Sequence, residues 1–279
     1  MDINNCIRFD WAAKFILRDK ADFKILESFV STVLNEQVVI SELLESESNR
    51  REENDKYNRV DIKAKNSKGE IILVEVQQTT ETYFLQRVLY GVATTITEHI
   101  LLGDDYSKIK KVYSINILYF DFGVGEDYLY HGSNALIGVN KKDRLKVTAD
   151  EVNGIKTVPS ERVFPEYYLL RVKNYEKEEA DTAMEEWMRY LKWGYIDPNT
   201  TVGGLHEAYD RLQLLKMGKA ERKEYESHMW NLSYQRSVIG AAKQEGRIEG
   251  RMEGRMEARE EIIKKLQSLG VGDDIISQF

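Results

Sequence analysis

Residues 59–77 read RVDIKAKNSKGEIILVEVQ. The segment RVDIKAK alternates polar and apolar side chains, and EIILVEVQ is rich in β-branched residues, which is typical of β-strands. The residues NSKG lie between these segments and have the composition of a turn. The stretch therefore predicts a β-hairpin.

The register of this hairpin follows from its turn. A three-residue loop that ends at Gly69, with a positive φ at that glycine, is among the common hairpin connections. Such a loop places Asn66 opposite Glu70. In the same register Asp61 lies opposite Glu75.

The two-residue period of a strand also assigns the faces of the hairpin. One face is wholly apolar and must be covered by other parts of the chain, whereas the other carries charged and amide side chains. A shift of one residue would mix the two sets, so the register is well specified. The apolar set is Val60, Ile62, Ala64, Ile72, Val74 and Val76, and the polar set is Asp61, Lys63, Lys65, Glu75 and Gln77.

Two carboxylates, those of Asp61 and Glu75, face each other in this register. Opposed like charges destabilise a strand pair, so a compensating charge is required. The charge pattern leaves two interpretations open. In the first, Lys63 or Lys65 neutralises the carboxylates as part of an ordinary surface charge cluster. In the second, a divalent cation such as Mg²⁺ or Mn²⁺ lies between the two carboxylates, because these ions prefer oxygen ligands and retain several waters.

The remainder of the chain combines helical and strand patterns. Apolar residues at helical spacing predict one or two helices within residues 9–35 and another within 80–102. Residues 45–59 are charged and aperiodic, which is typical of a loop. Further elements are predicted as a strand at 110–122, shorter strands within 127–173, and helices from about 176, the last of them over 219–268.

Composition limits the classes of function. The chain has 279 residues and a formal net charge of −7, which argues against indiscriminate coating of nucleic acid but permits a local basic groove. A single cysteine excludes a disulfide framework and a cysteine-based zinc site, and four scattered histidines disfavour a histidine-ligated metal. The sequence has no apolar run of the ~20 residues that span a bilayer and no signal-peptide pattern, so we expect a soluble, cytoplasmic protein.

A four-residue repeat occupies residues 245–260, which read EGRIEGRMEGRMEARE. On a helix this period forms a stripe of glycines beside a stripe of Ile and Met. Each glycine costs a helix roughly 1 kcal/mol relative to alanine, and a closely packed partner helix would offset that cost. The repeat is either a charged helix in solvent or a helix that packs on the body of the protein or on a second copy. We expect a homodimer through this C-terminal helical region.

The hairpin resembles a nuclease signature. Asp61 in one strand, followed by Glu75-Val76-Gln77 in the next, is similar to the PD-(D/E)XK motif, with Gln77 at the usual lysine position. Other segments extend the likeness to the Rpn-type recombination-promoting nucleases, a family also described as PD-(D/E)XK nuclease family transposases. These segments are FDWAAKFIL at 9–17, FLQRVLYG at 84–91, GDDY at 103–106, INILYFDF at 115–122, EEWMRYLKW at 185–193 and the Gly-Arg-Glu tail.

The resemblance implies a fold and a domain arrangement. The expected fold is α/β, with a restriction-endonuclease-like core in which a mixed central sheet is flanked by helices. We expect this nuclease-like domain to span residues 1–175. A helical C-terminal extension with the Gly-Arg-Glu repeat would then span residues 176–279.

The resemblance also implies a reaction and the residues that perform it. DNA cleavage would depend on Mg²⁺ or Mn²⁺ held by Asp61 and Glu75, with the backbone carbonyl of Val76 as a further ligand. Gln77 would be catalytic, since its amide is able to orient a water or donate a hydrogen bond to phosphate, although it carries no positive charge.

Several other side chains are candidates for a supporting role. Arg87 and Tyr90 lie three residues apart on a predicted helix and share a face, so either both reach the phosphate or Tyr90 is core and Arg87 a surface charge. Asp10 either approaches the metal or is solvated. The candidate contacts to the DNA backbone are Lys108, Lys110, Lys111, Lys141 and Lys142.

The sequence therefore predicts a Mg²⁺-dependent DNA endonuclease with little sequence specificity, linked to DNA recombination or mobile elements. One alternative is a catalytically inactive DNA-binding or assembly module on the same fold, which the neutral Gln77 and the acidic net charge favour. Another is a structural protein built around the C-terminal helix.

Overall fold

A computed structural model describes residues 23–44, 61–151, 154–211 and 218–269. The chain divides into two compact units, the first ending at Met217 and the second beginning at Gly218. Of the predicted helices within 9–35, the structure has α1 at Lys24–Leu34, and residues 9–22 lie outside the described ranges. The other helices of the first unit are α2 (Phe84–Glu98), α3 (Ala183–Trp193) and α4 (Gly203–Arg211).

Eight strands are described in the first unit. Their bounds are β1 (Ile40–Leu44), β2 (Ile62–Asn66), β3 (Ile71–Gln77), β4 (Val112–Leu118), β5 (Leu129–Gly132), β6 (Lys146–Glu151), β7 (Gly154–Pro159) and β8 (Glu166–Arg171). Three short 3₁₀ helices, Tyr106–Lys108, Ser160–Arg162 and Val172–Asn174, connect some of them.

Six of these strands form one mixed sheet in the order β1-β2-β3-β4-β8-β5. Strands β1, β2 and β3 are antiparallel neighbours, β4 is parallel to both β3 and β8, and β5 is antiparallel to β8. Strands β6 and β7 form a separate two-stranded sheet. The mixed central sheet with flanking helices confirms the predicted α/β fold.

The hairpin of β2 and β3 has the predicted register. Lys65 lies opposite Ile71 and Ile62 lies opposite Val74, while the backbone N–H of Asn66 donates to the carbonyl of Glu70. Gly69 has a φ of 78°, the left-handed conformation that the three-residue loop requires.

Both faces of the hairpin are covered. Ile72 and Val74 on the predicted apolar face are fully buried. On the other face, Leu73 also lies in the core, in a cluster with Val92 of α2 and Val112 of β4. In the middle of this second face, Lys63 lies opposite Leu73 and is buried, and it pairs with Glu98 of α2.

Strand β1 is an element that the sequence did not predict. Its residues, ISELL, lack alternation, and its pairing with β2 buries Lys63, which would otherwise lie on an edge strand. A side-chain contact fixes its start, since Glu27 of α1 accepts a hydrogen bond from the backbone N–H of Ile40 at 2.7 Å.

Helices α3 and α4 lie within the first compact unit, although the sequence analysis assigns them to the C-terminal extension. Trp187 of α3 is fully buried and meets Phe29 of α1 edge-on, with ring centroids 5.1 Å apart. Tyr119, which follows β4, donates its hydroxyl hydrogen bond to the carbonyl of Leu191 at 2.8 Å. The division between compact units thus falls after Met217, whereas the sequence predicts a domain boundary at residue 175.

The second unit contains one long helix, α5 (Lys219–Ser268), as the sequence predicts for 219–268. Its glycines at 246, 250 and 254 are sterically open, because a Cβ atom added at any of them would meet no described atom within 4 Å beyond the backbone of the helix itself. No helix in the described ranges is both long enough and apolar enough to cross a membrane.

Candidate active site

The open end of the hairpin brings the two predicted carboxylates together. Asp61 directly precedes β2, and Glu75 lies near the end of β3. The Asp61 carboxylate accepts a hydrogen bond from the backbone N–H of Val76 at 2.7 Å. The carboxylate therefore reaches across to β3, beside Glu75, and its position is fixed by the backbone of the opposite strand.

Arg87 in the first turn of α2 supplies the positive charge of this site. Its Nη2 lies 2.5 Å from Oε1 of Glu75 and 3.2 Å from Oε1 of Gln77. Its guanidinium also lies over the ring of Phe84, 5.3 Å from the ring centroid. Phe84 is buried and packs edge-on against Phe120 at 6.0 Å, so the start of α2 is anchored on the chain that follows β4.

The charge that compensates the carboxylates therefore differs from the predicted one. Lys63 pairs with Glu98 of α2 at 2.6 Å, and Lys65 pairs with Glu42 of β1 at 3.0 Å. Both lysines lie further along β2 than Asp61 and already have carboxylate partners on neighbouring elements. The interpretation in which a lysine of the hairpin neutralises the pair does not hold for Glu75, because its ion-pair partner among the described residues is Arg87 of the next helix.

Burial has the largest effect on the protonation of Glu75. It raises the pKa of the Glu75 carboxyl above its ordinary value, since the charged form loses hydration. The charge and hydrogen bond of Arg87 oppose that rise, while the charges of Asp61 and Glu81 add to it. The described side chains of the site thus carry more negative than positive charge, and the guanidinium of Arg87 is the described counter-ion of Glu75.

The amide of Gln77 is held by two protein contacts. Its oxygen accepts from Arg87, and its Nε2 donates to the carbonyl of Thr79 at 3.1 Å. In this structure Gln77 consequently orients Arg87. The positive charge next to the usual lysine position is therefore supplied by Arg87 of α2 and not by a residue of β3.

The donor set at the hairpin fits a divalent cation. Mg²⁺ commonly binds one or two carboxylates and completes its shell with waters and substrate phosphate, and Asp61 and Glu75 supply two carboxylates at one place. Within the described ranges no group of three or more His, Cys, Asp or Glu side chains is arranged to hold a metal. The fit is therefore to an ion that keeps several waters, and not to a fully protein-ligated one.

Of the three supporting candidates, Arg87, Tyr90 and Asp10, the structure places one at the site. Arg87 joins the site, whereas Tyr90, one turn further along α2, is 41% exposed and is not core. Asp10 lies outside the described residues.

One of the candidate lysines for the DNA backbone is unsuitable. Lys111 is buried, donates to the carboxylate of Glu166 and to the carbonyl of Glu161, and lies over the ring of Tyr113. The prediction that it contacts DNA is wrong, because β4 begins at the next residue and carries this side chain into the fold. The other four candidates, Lys108, Lys110, Lys141 and Lys142, are exposed, and Lys108 pairs with Asp104.

Glu81 is a site residue that the sequence pattern did not predict. Its Oε2 lies 2.7 Å from Nε of Arg87, although the N–H bond does not point along that line, so the contact is an ion pair and not an aligned hydrogen bond. Glu81 precedes α2 and is six residues from Arg87, a spacing at which no helical rule predicts contact. The one sequence signal for this contact was that an acidic residue lies just before the predicted helix.

The comparison with known protein families agrees with this geometry. A family model described as "PD-(D/E)XK nuclease family transposase" matches residues 7–158, a range that contains the hairpin, α2 and the parallel strand β4. No curated protein and no solved structure matches the chain. Since the matched range covers more than half of the 279 residues, the chain belongs to the PD-(D/E)XK nuclease family transposases.

Proposed function

We propose that this protein is a Mg²⁺-dependent endonuclease, able to use Mn²⁺ as well, that hydrolyses phosphodiester bonds of DNA with little sequence specificity. Its family indicates a nuclease- or transposase-related function, and members generally use divalent metals. The observation that carries the proposal is the convergence of Asp61, Glu75 and Arg87 at one end of the hairpin.

Each residue of the site has a distinct task in this proposal. Asp61 and Glu75 hold the cation, with the carbonyl of Val76 as a further ligand. A cation held by these residues would lower the pKa of a water ligand and offset charge on the scissile phosphate. Gln77 holds the guanidinium of Arg87, which faces the phosphate and supplies the positive charge that an amide lacks.

Low sequence specificity follows from the kind of contact available. Exposed lysines bind phosphate oxygens, which carry no base information. Lys110 and Lys141 are exposed, and neither belongs to the hairpin site. Tyr90 is exposed on α2 and extends the contact surface. We link the activity to DNA recombination or mobile elements.

The decisive experiment is the cleavage of supercoiled plasmid by the full chain with Mg²⁺ and with EDTA. Glu75→Gln removes one ligand charge, whereas Glu98→Gln makes the same change on α2 next to Lys63. We expect nicked and linear products with the wild-type protein and with Glu98→Gln in Mg²⁺ only. If Glu75→Gln nicks DNA as fast as the wild type, or the wild type never nicks above background, the enzymatic proposal is wrong.

A catalytically inactive DNA-binding or assembly module is the second candidate. The observation in its favour is the ion pair of Glu75 with Arg87, which neutralises the carboxylate without a metal. Salt-dependent DNA binding that persists in EDTA, from a protein that never cuts, would support this candidate.

We further propose that α5 pairs two copies of the chain. Ile248, Met252 and Met256 are between 54% and 64% exposed, and the glycine stripe beside them permits close backbone approach. Arg and Glu alternate at every second position over 245–260, so two copies need not repel. Such pairing would suit an enzyme that cuts both strands of a duplex.

Light scattering tests this pairing. The full chain is expected to have twice the mass of one chain, and a truncation ending at Gly240 is expected to be a monomer, because it lacks both stripes. Equal numbers of copies in the two samples would show that the repeat does not mediate association.

A further inference from the structure

Arg87 has carboxylates at two ends of its guanidinium. Nη2 contacts Glu75, and Nε contacts Glu81, which is 38% exposed and lies outside the hairpin. The aromatic ring of Phe84 lies against the guanidinium plane. The arginine is therefore shared between the partly buried carboxylate of Glu75 and the more exposed carboxylate of Glu81.

Glu75 is the partner for which two cations compete. In the proposed function a divalent cation binds Glu75, yet the guanidinium already lies 2.5 Å from its Oε1. The cation must share that carboxylate with the guanidinium or displace it. A guanidinium that keeps another carboxylate partner gives up Glu75 at a smaller cost than one that would be left unpaired.

We propose that Glu81 is a positioning residue that acts through Arg87 and lowers the cost of releasing Glu75 to a divalent cation. The inference rests on the proposed function, because it requires metal binding at Glu75. With Glu81 in place, Arg87 stays anchored through Nε while its Nη2 leaves Glu75 and turns towards substrate phosphate. Without Glu81, Glu75 is the one carboxylate within ion-pair distance of Arg87 among the described residues, and the guanidinium competes more strongly.

This argument gives substitutions at 81 and 87 effects of opposite sign. Glu81→Gln should weaken binding of a divalent cation, whereas Arg87→Gln should tighten it by removing the competitor. If Glu81 acts through Arg87, then Glu81→Gln should have no further effect in the Arg87→Gln background. If Glu81 instead attracted the metal directly, Glu81→Gln would weaken metal binding equally in both backgrounds.

The experiment is a calorimetric titration of the full chain with Mn²⁺, without DNA, on the wild type, both single variants and the double variant. We expect Glu81→Gln to weaken Mn²⁺ binding about fivefold in the wild-type background and to leave it unchanged in the Arg87→Gln background. Glu98→Gln is the matched control, since it removes a carboxylate of α2 that pairs with Lys63 and not with Arg87. It should leave Mn²⁺ binding unchanged.

Arg87→Lys provides a second background if the Arg87→Gln protein fails to fold. Lysine keeps the charge but is a single point donor that does not bridge two carboxylates, so the effect of Glu81→Gln should again shrink. An equal effect of Glu81→Gln in all backgrounds, or no effect in the wild type, would overturn the inference while leaving the proposed nuclease intact. Failure of the wild type to bind Mn²⁺ would overturn both.

Discussion

Asp61→Asn is expected to lower the rate of DNA cleavage at least about a hundredfold while leaving the hairpin folded, because metal-ligand contacts supply several kcal/mol to a hydrolytic transition state. The asparagine oxygen still accepts the hydrogen bond from the N–H of Val76, which is 2.7 Å from the carboxylate. The negative charge is lost, and the second carboxylate oxygen is replaced by an amide NH₂ group.

Plasmid nicking rates and thermal melting on the same samples separate an effect on cleavage from an effect on stability. Asp104→Asn is a matched control, because Asp104 also accepts a backbone hydrogen bond, from Leu101 at 2.8 Å, and lies beyond the far end of α2. Asp61→Ala should lower stability as well as activity, by about 1 kcal/mol or more, because the N–H of Val76 loses its acceptor. If Asp61→Asn cuts at the wild-type rate, Asp61 does not hold the cation.

A fragment that ends at residue 175 is expected not to fold, whereas one that ends at Met217 is expected to fold cooperatively. The shorter fragment lacks α3, whose Trp187, Tyr190 and Leu191 are fully buried. Each such side chain contributes roughly 1.5–3 kcal/mol, so their joint loss approaches the 5–15 kcal/mol that typically stabilises a domain.

Far-UV circular dichroism during heating distinguishes these outcomes. The full chain and the fragment ending at Met217 should both show a cooperative transition, and the shorter fragment should show none. A cooperative transition at an unchanged midpoint in the shorter fragment would establish residues 1–175 as the folding unit and make α3 and α4 dispensable.

The hairpin was predictable because its information is local. Strict alternation on one strand and a loop with glycine at its third position fix which residues oppose each other, and the observed register is the same. The long α5 was equally predictable, since residues 219–268 contain no proline and have continuous helical composition.

The counter-ion of the site was not predictable, because its partners are distant in sequence. Lys63 and Lys65 are adjacent to the carboxylates in the strand pattern, yet β1 and α2 supply Glu42 and Glu98 to them. Only the packing of α2 on the sheet brings Arg87 to Glu75. The burial of Lys111 was not predictable for the same reason, since a short lysine run does not indicate that its last side chain is buried in the fold.

The composition of the site has a consequence for metal stoichiometry. Among its described side chains, the carboxylates of Glu75 and Glu81 pair with the single guanidinium of Arg87, and the carboxylate of Asp61 lies beside Glu75, which leaves a formal excess of two negative charges. One divalent cation brings this group to electroneutrality, whereas a second would leave it positive until phosphate arrives. Under the proposed function, we therefore expect one divalent cation to bind this group in the absence of DNA.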